Sequence, residues 1–252
     1  REGGVKGVKA LKSSMRDLSA KKKSIRGAVL GRPESEEELD VLLKECDGLG
    51  ISGANDLEFE DLVKLRSIAR RHGKYFAIHA GERDRSDIDT ALSLDPDILI
   101  HMTHASPGDL KHVADSGIPI VICPRSNFAT GVADVSKPDV KKMVELGICV
   151  ALGTDNVMLN SPCLFSEMEF ASKIFLNDDV EVLRMATANG AKILGIDGET
   201  GVIEAGKTAN FTVINKNSNN VRYSKNLMRT VVRRARADDI LAIVNKGGVL
   251  RR

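Results

Sequence analysis

A chain of 252 residues that is 42% hydrophobic and 29% charged has the makeup of a globular protein with a large core. Its 37 Lys and Arg against 35 Asp and Glu leave a net charge of +2, too near balance to require nucleic acid or an acidic membrane surface as a partner. The longest apolar runs, such as "IPIVIC" and "ICVAL", fall far short of the roughly 20 residues a bilayer helix needs, and no charged-then-apolar leader opens the sequence, so a cytoplasmic protein is expected.

In chain order, "REGGVKGVKALK" reads as a helix, and β-rich runs then alternate with helical patterns. The runs are "SIRGAVL" (24–30), "GLGIS" (48–52), "KYFAIH" (74–79), "DILIH" (97–101), "IPIVIC" (118–123) and "ICVALGT" (148–154). Between them, apolar residues recur at helical spacing: Leu39, Leu42, Leu43 and Cys46, then Leu62, Leu65 and Ala69, then Val140, Met143 and Val144. "PESEEELD" and "SKPDVKK" put Ser, Pro and acids where helix N-termini want capping groups and negative charge. This alternation predicts βαβ units and a parallel sheet, in either a doubly wound or a (β/α)₈ arrangement. No G-x-G-x-x-G follows the first strand, which disfavours a nucleotide-binding sheet.

The texture changes after Leu194. "GIDGETGVIEAGKTANFTVIN" is Gly-rich with a closing β-run, "ILAIVNKGGVL" reads as a strand with a Gly-Gly turn, and the polar, locally basic stretch between them reads as a solvated helix or loop. The four cysteines, Cys46, Cys123, Cys149 and Cys163, form no C-x-x-C pair and are expected to be reduced thiols.

Three of the predicted strands end on groups that bind metals or move protons: His79 with Glu82, His101 with His104, and Asp155 with Asn156. A lone strand-end histidine is commonly structural, and an Asp after Gly-Thr can simply cap a helix. Taken together, imidazole nitrogens and carboxylates at the C-terminal ends of parallel strands are the donor set of a catalytic zinc site, which keeps about three protein ligands and an open position. The zinc deaminases with H-x-E and P-C-x-x-C are a poor match, because this chain has His-Ala-Gly-Glu and "CPRSN".

The stretches "HAGE" (79–82), "HMTHAS" (101–106), "CPRSN" (123–127), "ALGTDN" (151–156), "ATANGAKILGI" (186–196) and "GVIEAGKTANFTVIN" (201–215) run in the order found in one known group. The sequence resembles the amidohydrolase superfamily, in its branch of metal-dependent aminohydrolases, deaminases and chlorohydrolase-like proteins. The resemblance implies an α/β fold: a (β/α)₈ TIM-like barrel over residues 1–195 with its first strands missing, then a small β-sandwich-like appendage with a basic connecting segment over residues 196–252. It implies a divalent metal, with zinc expected and iron or manganese as alternatives, and hydrolysis of a non-peptide carbon–nitrogen bond in a purine- or pyrimidine-like ring. His79 and Asp155 resemble the metal ligands. Glu82, His101 and Asp155 resemble the catalytic groups, and Glu82, His104 and Asn127 are placed as substrate-binding residues. The partner expected is a small-molecule substrate, with neither nucleic acid nor membrane; the oligomeric state is left open, with a homo-oligomer as one option.

The same resemblance implies an H-x-H pair at the end of the first barrel strand, yet no histidine precedes His72. A chain that starts after the second barrel strand would account for this, as would a shortened, noncatalytic binding protein that has lost the metal. On the first account, the 252-residue chain alone is expected to show little turnover. The appendage also departs from the family at Asn210, where aspartate is usual.

Overall fold

The computed structural model describes residues 4–20 and 27–251, which form two compact units, one ending at Met102 and the other starting at Thr103. The first unit runs α1 (Gly4–Ala20), β1 (Leu30–Gly31), α2 (Glu36–Glu45), β2 (Gly48–Ile51), α3 (Phe59–Arg71), β3 (Tyr75–Ala80), α4 (Ile88–Ser93) and β4 (Ile98–His101). Its strands are parallel neighbours in chain order, as the βαβ pattern predicts. The expected strand over 24–30 is the least complete: residues 24–26 lie outside the described residues, and only Leu30 and Gly31 pair, with Gly48 and Leu49.

β3 is buried along most of its length, with Phe76, Ala77 and Ile78 each at 0% exposure. A strand covered on both faces needs a continuous apolar run, which "YFAI" supplies. The covering helices bring the residues their periodicity singled out: Leu39, Leu42, Leu43 and Cys46 are buried around α2, and Leu62, Leu65 and Ala69 on α3. α3 also has Glu60 and Asp61 in its first turn and Arg70 and Arg71 in its last, which complements its dipole. Burying one side chain the size of Phe76 or Leu62 contributes about 1.5–3 kcal/mol, so this layer is the main support of the strand that carries His79.

The second unit contains α5 (Pro107–Ser116), β5 (Ile120–Ile122), α6 (Pro124–Ala129), α7 (Val140–Glu145), β6 (Val150–Leu152), α8 (Leu164–Ile174), α9 (Asp179–Met185), α10 (Ala188–Ile193), β7 (Phe211–Ile214), α11 (Leu227–Arg234), β8 (Ile240–Asn245) and β9 (Gly248–Arg251). β5 and β6 pair in parallel, whereas β7, β8 and β9 form a small antiparallel sheet. "ILAIVNKGGVL" therefore makes a hairpin of two strands, turning at Lys246 and Gly247, both with positive φ. The basic segment forms α11, whose Arg229 and Arg233 donate to Asp179 at 3.0 and 2.6 Å, while Arg236 just beyond it pairs with Glu169. These three cations are satisfied by acids of their own unit.

The capping signals divide. Asp139 caps α7 by accepting from the Lys142 N–H at 2.9 Å, but Ser35 stands at the start of α2 with no side-chain cap bond. There Glu38 accepts instead, from the Glu34 and Val5 N–H groups, each at 3.0 Å. All four cysteines are free thiols. Among the described residues no helix is long and apolar enough to cross a membrane.

Candidate metal centre and proton-transfer groups

His79 is the penultimate residue of β3 and His101 the last of β4, with the register pairing His79 to Ile100 and Ala80 to His101. Alternation along the strands would send the two rings to opposite faces. The backbone overrides it: His101 and Met102 both adopt positive φ, 77° and 52°, at the end of β4. The rings meet edge to face with centroids 4.7 Å apart, and His101 Nε2 lies 3.1 Å from His79 Nδ1. Two consecutive non-glycine residues in this region cost about 1–3 kcal/mol each, a strain characteristic of functional sites.

Glu82 closes the group, with Oε2 3.8 Å from His79 Nδ1 and 3.5 Å from His101 Nε2. Its approach depends on Gly81, which has φ 61° and lies so close to Ile88 that a Cβ would sit 2.7 Å from the Ile88 Cδ1. The positive φ favours glycine at this point between the basic and acidic members of "HAGE", and any larger residue would also have to displace the end of Ile88. The Gly81 N–H donates to Asp87 Oδ1 at 2.7 Å. Burial, joined by the charges of Asp84 and Glu82, raises the Asp87 carboxyl above its usual range, against the opposing effect of that hydrogen bond.

These donors fit a metal ion. His79, Glu82 and His101 each offer one ligand atom, all within 4.8 Å of one another. A tetrahedral zinc with ligands about 2.0–2.1 Å away sets them about 3.4 Å apart, close to the three separations found here. The sequence assigned the three residues separate tasks; the structure makes each of them capable of sharing one cation, His101 included.

In the second unit Asp155 follows β6 with φ 54°, and its Oδ2 accepts from the Ser126 hydroxyl at 2.6 Å. Ser126 is held at the start of α6 by its neighbour Arg125, which gives its backbone N–H and its Nε to the fully buried Glu167 at 3.2 and 2.8 Å, and Nη2 to the Ser161 carbonyl at 2.7 Å. Burial raises the Glu167 carboxyl, with the bonds from Arg125 opposing and the charge of Asp155 adding to it. Asn127 is buried and donates to Thr103 Oγ1 at 2.9 Å. His104 is engaged at both nitrogens: Nε2 donates to the Val132 carbonyl at 3.0 Å, and Nδ1 accepts from Lys137 at 3.5 Å.

Ser126, Arg125, Glu167 and Asp87 were not singled out by the sequence. Ser126 and Arg125 lie inside "CPRSN", where a signal existed; Glu167 in "LFSEMEF" reads as an ordinary helical glutamate, and Asp87 as a helix cap. Arg125→Ala should leave Glu167 buried without its cation, keeping only the backbone N–H of residue 125, and cost about 3–5 kcal/mol of stability, read by thermal or urea unfolding. Because the stranded carboxyl's folded pKa, already raised in the parent, then rises further, the deficit is full above the variant's folded pKa and fades as pH falls toward the parent's folded pKa. A deficit that does not change with pH would contradict this account.

The sequence matches the model of the amidohydrolase family over residues 5–249. The chain belongs to the amidohydrolase family. An uncharacterized protein of Methanocaldococcus jannaschii is 33% identical to this amidohydrolase over 96% of the chain and 66% of its own length. A 5-methylthioadenosine/S-adenosylhomocysteine deaminase of Acetivibrio thermocellus is 32% identical over 62% of the chain and 37% of its own length. The crystal structure of an adenosine deaminase from Xanthomonas campestris with bound zinc superposes with a TM-score of 0.78 at 18% identity, covering 90% of this chain and 60% of that one. This last likeness shows a shared fold. The amidohydrolase chain spans less than two thirds of the length of each of these three proteins.

Proposed function

We propose that this amidohydrolase is a zinc-dependent deaminase that hydrolyses the exocyclic carbon–nitrogen bond of a 6-aminopurine nucleoside or its thioether derivatives. The observation that carries the reading is the convergence of His79, Glu82 and His101 at the C-terminal ends of two adjacent parallel strands. The deaminase named among its relatives and the zinc in the adenosine deaminase of like fold support the choice of metal and substrate class.

His79 would hold the metal, with His101 as a further donor in reach, Glu82 beside them as the acid and Asp155 as the ligand implied by the resemblance. When bound, a divalent metal supplies a Lewis acid that makes water acidic enough to ionise near neutral pH. The protein's own groups then manage the protons. Asp155 accepts one from the attacking water, and the Ser126 hydroxyl orients the carboxylate for it. Glu82 delivers a proton to the ring nitrogen beside the carbon under attack; the proton taken up by Asp155 passes to the amino group, which departs as ammonia, and the added hydroxyl returns its own proton to Glu82 as it becomes a carbonyl. His101, whose side chain is wholly buried, would contact the attacking water or the substrate, as the resemblance implies.

The test is ammonia release by the complete protein from 5′-methylthioadenosine, S-adenosylhomocysteine and adenosine, with zinc, iron and manganese content measured on the same sample. The expected result is turnover of at least one of these, abolished by a chelator and restored by zinc. A fully zinc-loaded protein that releases no ammonia from any of them would remove the substrate class.

A further inference from the structure

One buried ion pair of the second unit takes no part in the proton transfers. Glu167, on α8, is at 0% exposure, and both its oxygens are taken by one residue 42 positions earlier: Oε2 accepts from the Arg125 N–H at 3.2 Å and Oε1 from its Nε at 2.8 Å. Pro124 opens α6 without an N–H, and Cys123 before it makes no side-chain cap bond, so the Arg125 N–H is the first donor of that helix in need of a partner. Glu167 supplies one from a distant segment. Arg125 Nη2 adds a third bond, to the Ser161 carbonyl at 2.7 Å. The next residue, Ser126, is 1% exposed, and its hydroxyl donates to Asp155 Oδ2 at 2.6 Å.

We propose that Glu167 is a positioning residue for Asp155: through Arg125 it fixes the first turn of α6, so that the Ser126 hydroxyl holds one oxygen of Asp155 and leaves the other for the metal and its water. The inference rests on the reading of Asp155 as metal ligand and proton acceptor. Stability alone is a weak reason for such a pair, because desolvating two charges offsets most of their attraction and well-packed apolar side chains commonly serve as well. Apolar side chains could not set the direction of the residue 125 backbone. Asp155 needs that support, since it sits at a φ of 54° beyond Leu152, the last paired residue of β6, where no strand register aims its side chain. Hydrogen bonds that orient ligating groups are typically worth about 10–100-fold in metal affinity or activity.

The deciding measurements on the complete protein are zinc affinity, by competition with a chromophoric chelator, and kcat and KM for whichever of the three nucleosides it deaminates, beside a melting curve. Asp155→Ala is the control for the ligand. Two variants test the chain of contacts: Ser126→Ala, which keeps the ion pair, and the double variant Arg125→Met with Glu167→Met, which removes both charges and so strands neither. Each should bind zinc about 10-fold or more weaker and lose a similar factor in kcat, with KM little changed. The double variant should melt close to the parent. A pair that serves only the fold predicts zinc affinity and kcat that recover along with stability in the double variant, and that result would overturn the positioning role. Unchanged zinc affinity and kcat in Ser126→Ala would overturn it as well. Should the double variant not fold, Glu167→Gln takes its place under the same criterion: it keeps the volume but turns an NH2 group toward one of the two Arg125 donors. A parent that binds zinc yet deaminates none of the three nucleosides removes the substrate class only, and zinc affinity then decides the role of Glu167 by itself. Zinc that does not bind the parent, or binds Asp155→Ala equally well, would remove Asp155 as a ligand and the proposal with it.

Discussion

Asp155→Asn in the complete protein is expected to lower kcat by about 10²–10⁴-fold, the range for loss of a general base, while thermal unfolding stays where it was. The substitution is nearly isosteric. An amide oxygen can still accept from Ser126 Oγ, and asparagine tolerates the positive φ of 54° at this position. What it loses is the capacity to take a proton from water. Steady-state kinetics beside a melting curve separate the two effects, and turnover that survives the exchange would take Asp155 out of the mechanism.

His79→Ala carries the second large effect, on metal content. Its Nδ1 is 3.1 Å from His101 Nε2 and 3.8 Å from Glu82 Oε2, so its removal takes away one member of a closely packed donor group. The loss of affinity should exceed the 10–100-fold typical of outer-sphere partners. The lost ring contact with His101 costs only about 0.5–1.5 kcal/mol, so the chain should still fold. Inductively coupled plasma mass spectrometry on the parent and variant reads the outcome and also names the metal. Equal metal in both would return His79 to the status of a core histidine.

Much of this site is legible in short stretches of consecutive residues. The apolar run "KYFAI" ending on a histidine announces a buried strand, and the three-residue step to Glu82 across a glycine announces a turn that brings the acid back beside it. Strand, turn and spacing are local features, and local sequence is enough to specify them. The helix faces of α2 and α3 are equally plain, because a period of 3.6 needs no knowledge of what covers it.

The remainder depends on contacts between segments far apart in the chain. Nothing in "DILIHMTH" declares that His101 and Met102 turn left-handed, and without that turn strand alternation sends His101 away from His79. Asp87 has the sequence position of a cap, but its carboxylate accepts from Gly81; Ser35 has it too, but Glu38 does the accepting. Glu167 reads as a surface residue, yet packing buries it completely against Arg125, and through Ser126 this arrangement governs how Asp155 is held. Residue type and spacing alone marked out most of the strands and helices and the side chains able to bind a metal or move a proton. The tertiary structure alone decided where those side chains point, because a side chain's direction is set by the sign of a backbone dihedral and by neighbours that arrive from distant segments.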